Sequence, residues 1–198
     1  MKKILLAGLL LAAACAARAQ GPDLFPNLSP DRPLLLVAAP DLQGLYSHTA
    51  LLVVPAAGGQ HFGFILNRAT GVKLATLFPD HPPSAKVADP VYFGGPEMLE
   101  SIFAIVRRDP GGPALHLFGE LFVTGNAVAV DRIIEQTPND ARYFAGFVGW
   151  QPGELAKELE AGFWLATEPD EKLLWQDPKE MWDELVKRLR PRGRLTET

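Results

Sequence analysis

Apolar residues fall along the chain in short blocks separated by Gly, Pro and polar clusters. Leu34 to Ala39 is a continuous apolar run of strand length, closed by the turn-forming stretch Pro40-Asp41-Leu42-Gln43-Gly44, and predicts a buried strand. Ala50 to Val54 predicts a second strand and His61 to Leu66 a third. The Gly58-Gly59 pair between them makes an antiparallel hairpin the simplest connection. Residues 71–89 hold one helical turn, Lys73 to Phe78, and then a polar, Pro-containing loop. Val91-Tyr92-Phe93 is β-prone and is broken by Gly94-Gly95-Pro96. Ser101 to Arg107, Ala114 to Phe118, Leu121 to Thr124 and Ala141 to Val148 predict further strands.

Helical periodicity is confined to the second half of the chain. Thr124 or Asn126 can cap a helix running to about Glu135, with Val130, Ile133 and Ile134 on its apolar side. Pro152 can open a second helix, since its missing N–H is not needed in the first turn, and Gly162 can stop it. Asp177-Pro178-Lys179-Glu180 supplies the start of a third. Trp182, Leu185, Val186 and Leu189 then recur at i, i+3, i+4 and i+7, a stripe that needs a sheet or helix to cover it. Too many consecutive strands lack an intervening helix for a doubly wound sheet. The expectation is one α+β domain over residues 34–190, followed by a basic and polar tail, residues 191–198.

The first residues break the pattern. Lys2 and Lys3 precede an apolar run from Ile4 to Ala14, and Ala17-Arg18-Ala19 places small residues where signal peptidase cuts. Residues 1–19 are expected to be a signal peptide, cleaved between Ala19 and Gln20. A Pro-rich lead-in, residues 20–33, would follow, and the domain would be periplasmic or secreted. Cys15, the one cysteine in the chain, offers an alternative: lipidation there would anchor the protein to a membrane. Cleavage at Ala19 would leave a domain without a thiol, hence without a disulfide or a Cys-ligated metal. Loss of Lys2, Lys3 and Arg18 would take the 19 basic residues to 16 against 23 acidic ones, moving the net charge from −4 to −7. Such a domain is a poor general binder of nucleic acid.

Four segments in order carry a family resemblance. They are Leu36-Val-Ala-Ala-Pro-Asp-Leu42, Gly63-Phe-Ile-Leu-Asn-Arg68, Val91-Tyr-Phe-Gly-Gly-Pro96 and Phe147-Val-Gly-Trp-Gln-Pro-Gly-Glu-Leu155. Together they resemble the AlgH/YqgE family of bacterial proteins over about Leu34 to Leu189. The resemblance implies an α+β fold with a curved, largely antiparallel sheet, a partial barrel, packed by helices. It brings no enzyme activity, only a frequent label of transcriptional regulator. Family members typically begin near the first strand and are cytoplasmic, so the leader of this chain runs against that label.

The chemistry that the sequence offers is sparse. It contains no G-x-S-x-G elbow, Walker loop or dinucleotide pattern. His48, His61, His81 and His116 form no H-x-x-H or H-E-x-x-H pair, so no metal or cofactor site is expected. Ser47 adjoins His48, but neighbours on an extended segment point to opposite faces, which argues against a nucleophile and its base. Glu154, Glu158 and Glu160 read as a solvated helix face. The four tryptophans, Trp150, Trp164, Trp175 and Trp182, read as anchors of the helices on the sheet. The turn at Gly149-Trp150 leads into a helix start that could receive an anion. The expected ligand or partner surface combines Asn67, Arg68, Gly94, Gly95 and Trp150. Its occupant would be an envelope protein or a small ligand. A hydrolase using His48 is the alternative of a different class, and direct action on DNA is disfavoured by charge and by the lack of a helix-turn-helix signal.

Overall fold

The computed structural model describes residues 29–190. The signal peptide, Cys15, the Ala19–Gln20 junction, most of the lead-in and the tail lie outside the described residues. Among those described, no helix is long and apolar enough to cross a membrane.

Ten strands and four α-helices make up the domain. The strands are β1 (Leu34–Ala38), β2 (Ala50–Pro55), β3 (His61–Ile65), β4 (Ala69–Lys73), β5 (Pro90–Phe93), β6 (Glu97–Val106), β7 (Leu115–Phe118), β8 (Leu121–Thr124), β9 (Ala141–Trp150) and β10 (Trp164–Thr167). The helices are α1 (Leu74–Leu77), α2 (Ala127–Gln136), α3 (Glu154–Glu160) and α4 (Met181–Leu189). The main path of the sheet runs β10-β1-β2-β3-β9-β6-β8-β7, all antiparallel. Strand β5 joins β9 in parallel and carries β4 on its other edge. The protein is therefore α+β, a curled, largely antiparallel half-barrel with helices against it.

Strand alternation explains how two apolar clusters share one sheet. In β6, Ile105 belongs to the main core, while Ala104 and Val106 face a second cluster beneath α2. In β9, Phe144 points to the main core and Ala141 and Tyr143 to the second cluster. Helix α2 supplies Val130, Ile133 and Ile134 to that cluster, and Asn126 caps it by accepting from the Ala129 N–H at 3.1 Å. Helix α4 closes the other end. Trp182, Leu185 and Val186 are buried, and the Trp182 indole donates to the Ala38 carbonyl of β1 at 2.9 Å. Each such aliphatic side chain contributes about 1.5–3 kcal/mol by leaving water.

Two local readings of the sequence shift in the structure, and two strands are added to it. Asp177-Pro178 forms a turn in which the Asp177 carboxylate accepts from the Lys179 N–H at 3.0 Å, and α4 starts later, at Met181. Pro152 lies ahead of α3 rather than inside it, because Gly153 takes a left-handed φ of 78° before the helix begins at Glu154. Two strands carried no clear signal: β4, exposed along its whole length, and the four-residue β10.

The crossing of β5 into β6 over β9 depends on glycine. A Cβ on Gly94 would lie 2.2 Å from the Gly146 carbonyl oxygen, and one on Gly95 would lie 2.2 Å from the Phe147 carbonyl carbon. No side chain fits where two backbones approach this closely. Gly146 itself, within β9, has a φ of 69°. Beyond it β9 stays paired with β3 through Val148, Gly149 and Trp150. Its regular pairing with β6 runs from Ile102 onward, with Glu97 opposite Phe147 across a register shift. The cleft opens beside this register shift.

Candidate aromatic cleft

The cleft has a volume of about 760 Å³ and lies between β3 and the end of β9 on one side and β6, β7 and β8 on the other. Its wall is built from phenyl rings. Phe62 and Phe64 project to one side of β3 because they are two residues apart. Gly63 between them is pressed against β2, where a Cβ would lie 2.6 Å from the Leu52 carbonyl oxygen. Phe103 comes from β6 and Phe147 from β9. The four rings close a cycle of tilted and edge-on contacts. Centroid distances are 6.1 Å from Phe62 to Phe64, 5.6 Å from Phe64 to Phe103, 5.7 Å from Phe103 to Phe147 and 6.4 Å from Phe147 to Phe62. Phe64 is buried, whereas Phe62, Phe103 and Phe147 keep part of their surface open. Gly125 admits the Phe103 ring, which would lie 2.6 Å from any Cβ there.

Most polar groups at the cleft are already engaged. Thr124 donates to the Pro113 carbonyl at 2.6 Å, Asn126 caps α2, and His61 Nε2 lies 2.7 Å from the Pro30 carbonyl oxygen. The Trp150 indole donates to Glu158 at 2.8 Å. The exposed Glu97 carboxylate at the rim makes no ion pair among the described residues. The arrangement is an apolar, ring-lined slot with one free negative charge. It suits an apolar body carrying a cation or a hydrogen-bond donor, because phenyl faces are also negative.

Of the five residues that the sequence singled out, only Trp150 lines this cleft. It is 4% exposed, one wall among several rather than an open floor. Asn67 is occupied by backbone: its Oδ1 accepts from the Ala50 N–H at 3.0 Å and its Nδ2 donates to the His48 carbonyl at 2.9 Å. Arg68 donates to the carbonyls of Leu45 and Ser47 and lies over Phe93. Gly94 and Gly95 are buried at the strand crossing. The expected open surface is thus mostly framework. The expected anion site after Gly149-Trp150 is filled by the chain itself, since Glu154 accepts from the Gln151 N–H at 2.9 Å.

Three further side chains depart from their sequence reading. Ser47 Oγ lies 2.7 Å from His48 Nδ1, so the two do not point apart. His48 has a φ of 57°, a left-handed conformation that turns its ring back toward Ser47 and against Trp182, 4.1 Å away. The pair sits at an exposed turn outside the cleft. Glu158 is only partly exposed and does structural work. One of its carboxylate oxygens accepts from both the Trp150 and the Trp164 indoles, each at 2.8 Å, which ties α3 to β9 and β10.

The cleft's phenylalanines come from positions 62 to 147; Phe62 and Phe64 share a strand spacing, but no local spacing joins them to Phe103 or Phe147. The one available signal was the concentration of Phe in strands that also carry Gly.

Comparison with known proteins agrees with this fold. The AlgH-like family model matches residues 35–193. A protein called UPF0301 protein in Chlorobium limicola is 29% identical over 168 residues, covering 82% of this chain and 88% of its own length. A namesake in Chlamydia trachomatis is 29% identical over 165 residues, covering 80% and 86%. Among solved structures, the AlgH protein of Pseudomonas aeruginosa superposes with a TM-score of 0.69 at 23% identity, over 86% of this chain and 98% of that one. A Corynebacterium diphtheriae protein superposes at 0.66 with 22% identity, over 84% and 90%. With the match spanning nearly all of the domain, and the curled sheet shared by both solved structures, this chain belongs to the AlgH-like family.

Proposed function

We propose that this protein is an exported, non-enzymatic binding module of the cell envelope, and that its cleft holds an apolar ligand bearing a cationic or hydrogen-bond-donating group. The observation that carries the ligand reading is the closed cycle of four phenyl rings with Glu97 unpaired at its rim. A slot of this size falls within the range of small-molecule sites, about 300–1,000 Å³. Export is supported by the order of basic, apolar and small residues across positions 1–19.

The neutral dye 1-N-phenylnaphthylamine tests the cleft. Its fluorescence is expected to rise on adding the protein, and the rise should be lost in Ala114→Trp, which fills the slot. Phenethylamine should displace the dye at lower concentration than phenylacetate, and Glu97→Gln should remove that difference. Dye binding that survives Ala114→Trp would overturn the assignment. Export is tested separately by intact mass of the protein from fractionated cells of its host. A chain starting at Gln20 in the envelope fraction supports it, and a full-length chain in the cytoplasm refutes it.

A further inference from the structure

Away from the aromatic cleft, three metal-ligating side chains converge. His81 stands at the start of the short helical turn Pro82–Lys86, and Asp131 and Glu135 stand one turn apart on α2. Their ligand atoms lie within 4.8 Å of one another, and His81 Nε2 is 3.0 Å from Asp131 Oδ1. The i, i+4 spacing puts both carboxylates on the same side of the helix, while Val130, Ile133 and Ile134 bury the other.

The state of the imidazole points to a ligand. His81 Nδ1 lies 2.8 Å from Ser84 Oγ, and Ser84 is fully buried. In the tautomer that carries its proton on Nδ1, that hydroxyl accepts from Nδ1–H, which fixes the ring and leaves the lone pair on Nε2, as partners behind metal-ligating histidines do. Nε2 is itself buried and, despite its closeness to Asp131, makes no hydrogen bond. A nitrogen lone pair beside two carboxylates has no hydrogen-bond donor to face, and a cation standing between them would accept it. The order Ser84–His81–Asp131 resembles a hydrolytic triad only on paper, because the Ser84 hydroxyl is sealed from substrate.

We propose that His81, Asp131 and Glu135 form a site for a first-row divalent cation. One imidazole and two carboxylates suit Zn²⁺ or Mn²⁺ better than Cu⁺, which prefers sulfur, or Ca²⁺, which prefers an all-oxygen shell. With bonds of about 2.0–2.2 Å, ligand atoms around Zn²⁺ stand about 3–3.5 Å apart. The His81–Asp131 separation already meets that spacing, and exposed Glu135 reaches it by a rotamer change. Three protein ligands leave a position for water or an outside donor. The site borders a second cleft of about 620 Å³, walled by Phe78, Ile102, Val128 and Ile134, from which such a donor can approach.

Calorimetric titration of the full chain with Zn²⁺ tests this. The wild type is expected to bind one Zn²⁺ that Asp131→Asn and Glu135→Gln each weaken by about tenfold or more. Glu100→Gln, which lines the same cleft outside the trio, should bind as the wild type does. Glu135 is exposed and makes no hydrogen bond to the fold, so Glu135→Gln should melt at the wild-type temperature without metal, separating ligation from folding. Mn²⁺ should broaden the amide NMR signals of residues 81, 84 and 131 first. Zn²⁺ affinity unchanged in both carboxylate variants, or wild-type binding no tighter than millimolar, would overturn the site.

Discussion

Glu158 shows how much one side chain can hold. Two indole N–H groups end on a single carboxylate oxygen, so three elements meet at one atom. Glu158→Leu keeps bulk but leaves both donors unmade. It should cost about 1–3 kcal/mol for each indole, read as a lower urea midpoint, while Glu158→Gln, which keeps an acceptor, should cost less. The sequence hid this role because the partners lie eight residues before and six after, in strands rather than on the helix. Tyr143 gives a second residue-scale test. It is buried and donates to the Pro138 carbonyl at 3.2 Å, and burial pushes its phenol far above the ordinary value of 10.0. The unfolded chain loses that proton near pH 10 while the folded chain keeps it. The stabilisation is therefore complete below pH 10 and is lost as pH rises beyond it. In alkaline titrations followed by circular dichroism, Tyr143→Phe should lose stability less steeply above pH 10 than the wild type.

At the scale of elements, strong periodicity was legible and weak edges were not. The stripe on α4 was readable because Trp182, Leu185 and Val186 repeat at helical spacing and all three are buried. Leu185→Ala should destabilise by about 2–5 kcal/mol in chemical denaturation, with Trp182→Phe nearer 1 kcal/mol for its lost bond to Ala38. The start of α4 was misread because Asp177-Pro178 satisfies a turn as well as a helix cap. Strand β4 escaped because Ala69-Thr-Gly-Val-Lys73 is exposed throughout, so burial imposed no alternation on it. The same limit applies to Ser47 and His48. Their meeting depends on a left-handed backbone angle at a histidine, which no side-chain pattern announces.

For the whole molecule, the α+β class followed from strands crowding the first half and helices the second, and the ordered motifs pointed to the curled sheet. The two candidate sites were out of reach for a common reason. The phenyl cycle joins positions 62, 64, 103 and 147, and the cation trio joins position 81 to a helix fifty residues later. Both depend on how distant elements pack rather than on local spacing. The motif residues Gly94 and Gly95 looked like surface, yet their task is to let β5 and β6 pass over β9, the crossing beside which the cleft opens.

The pairing of β1 sets an order of events for the growing chain. Leu36 faces Leu51 on one side and Ala166 on the other. Among the described residues, the first strand is thus completed by the last, and α4 then covers both. A nascent chain emerging from the ribosome has a bare hydrophobic edge on β1 until residue 167 is out. Such distant contacts also slow folding, since a long loop must close before they form. Under the export proposed above, that delay would give the chain time to be threaded through a membrane pore while still unfolded.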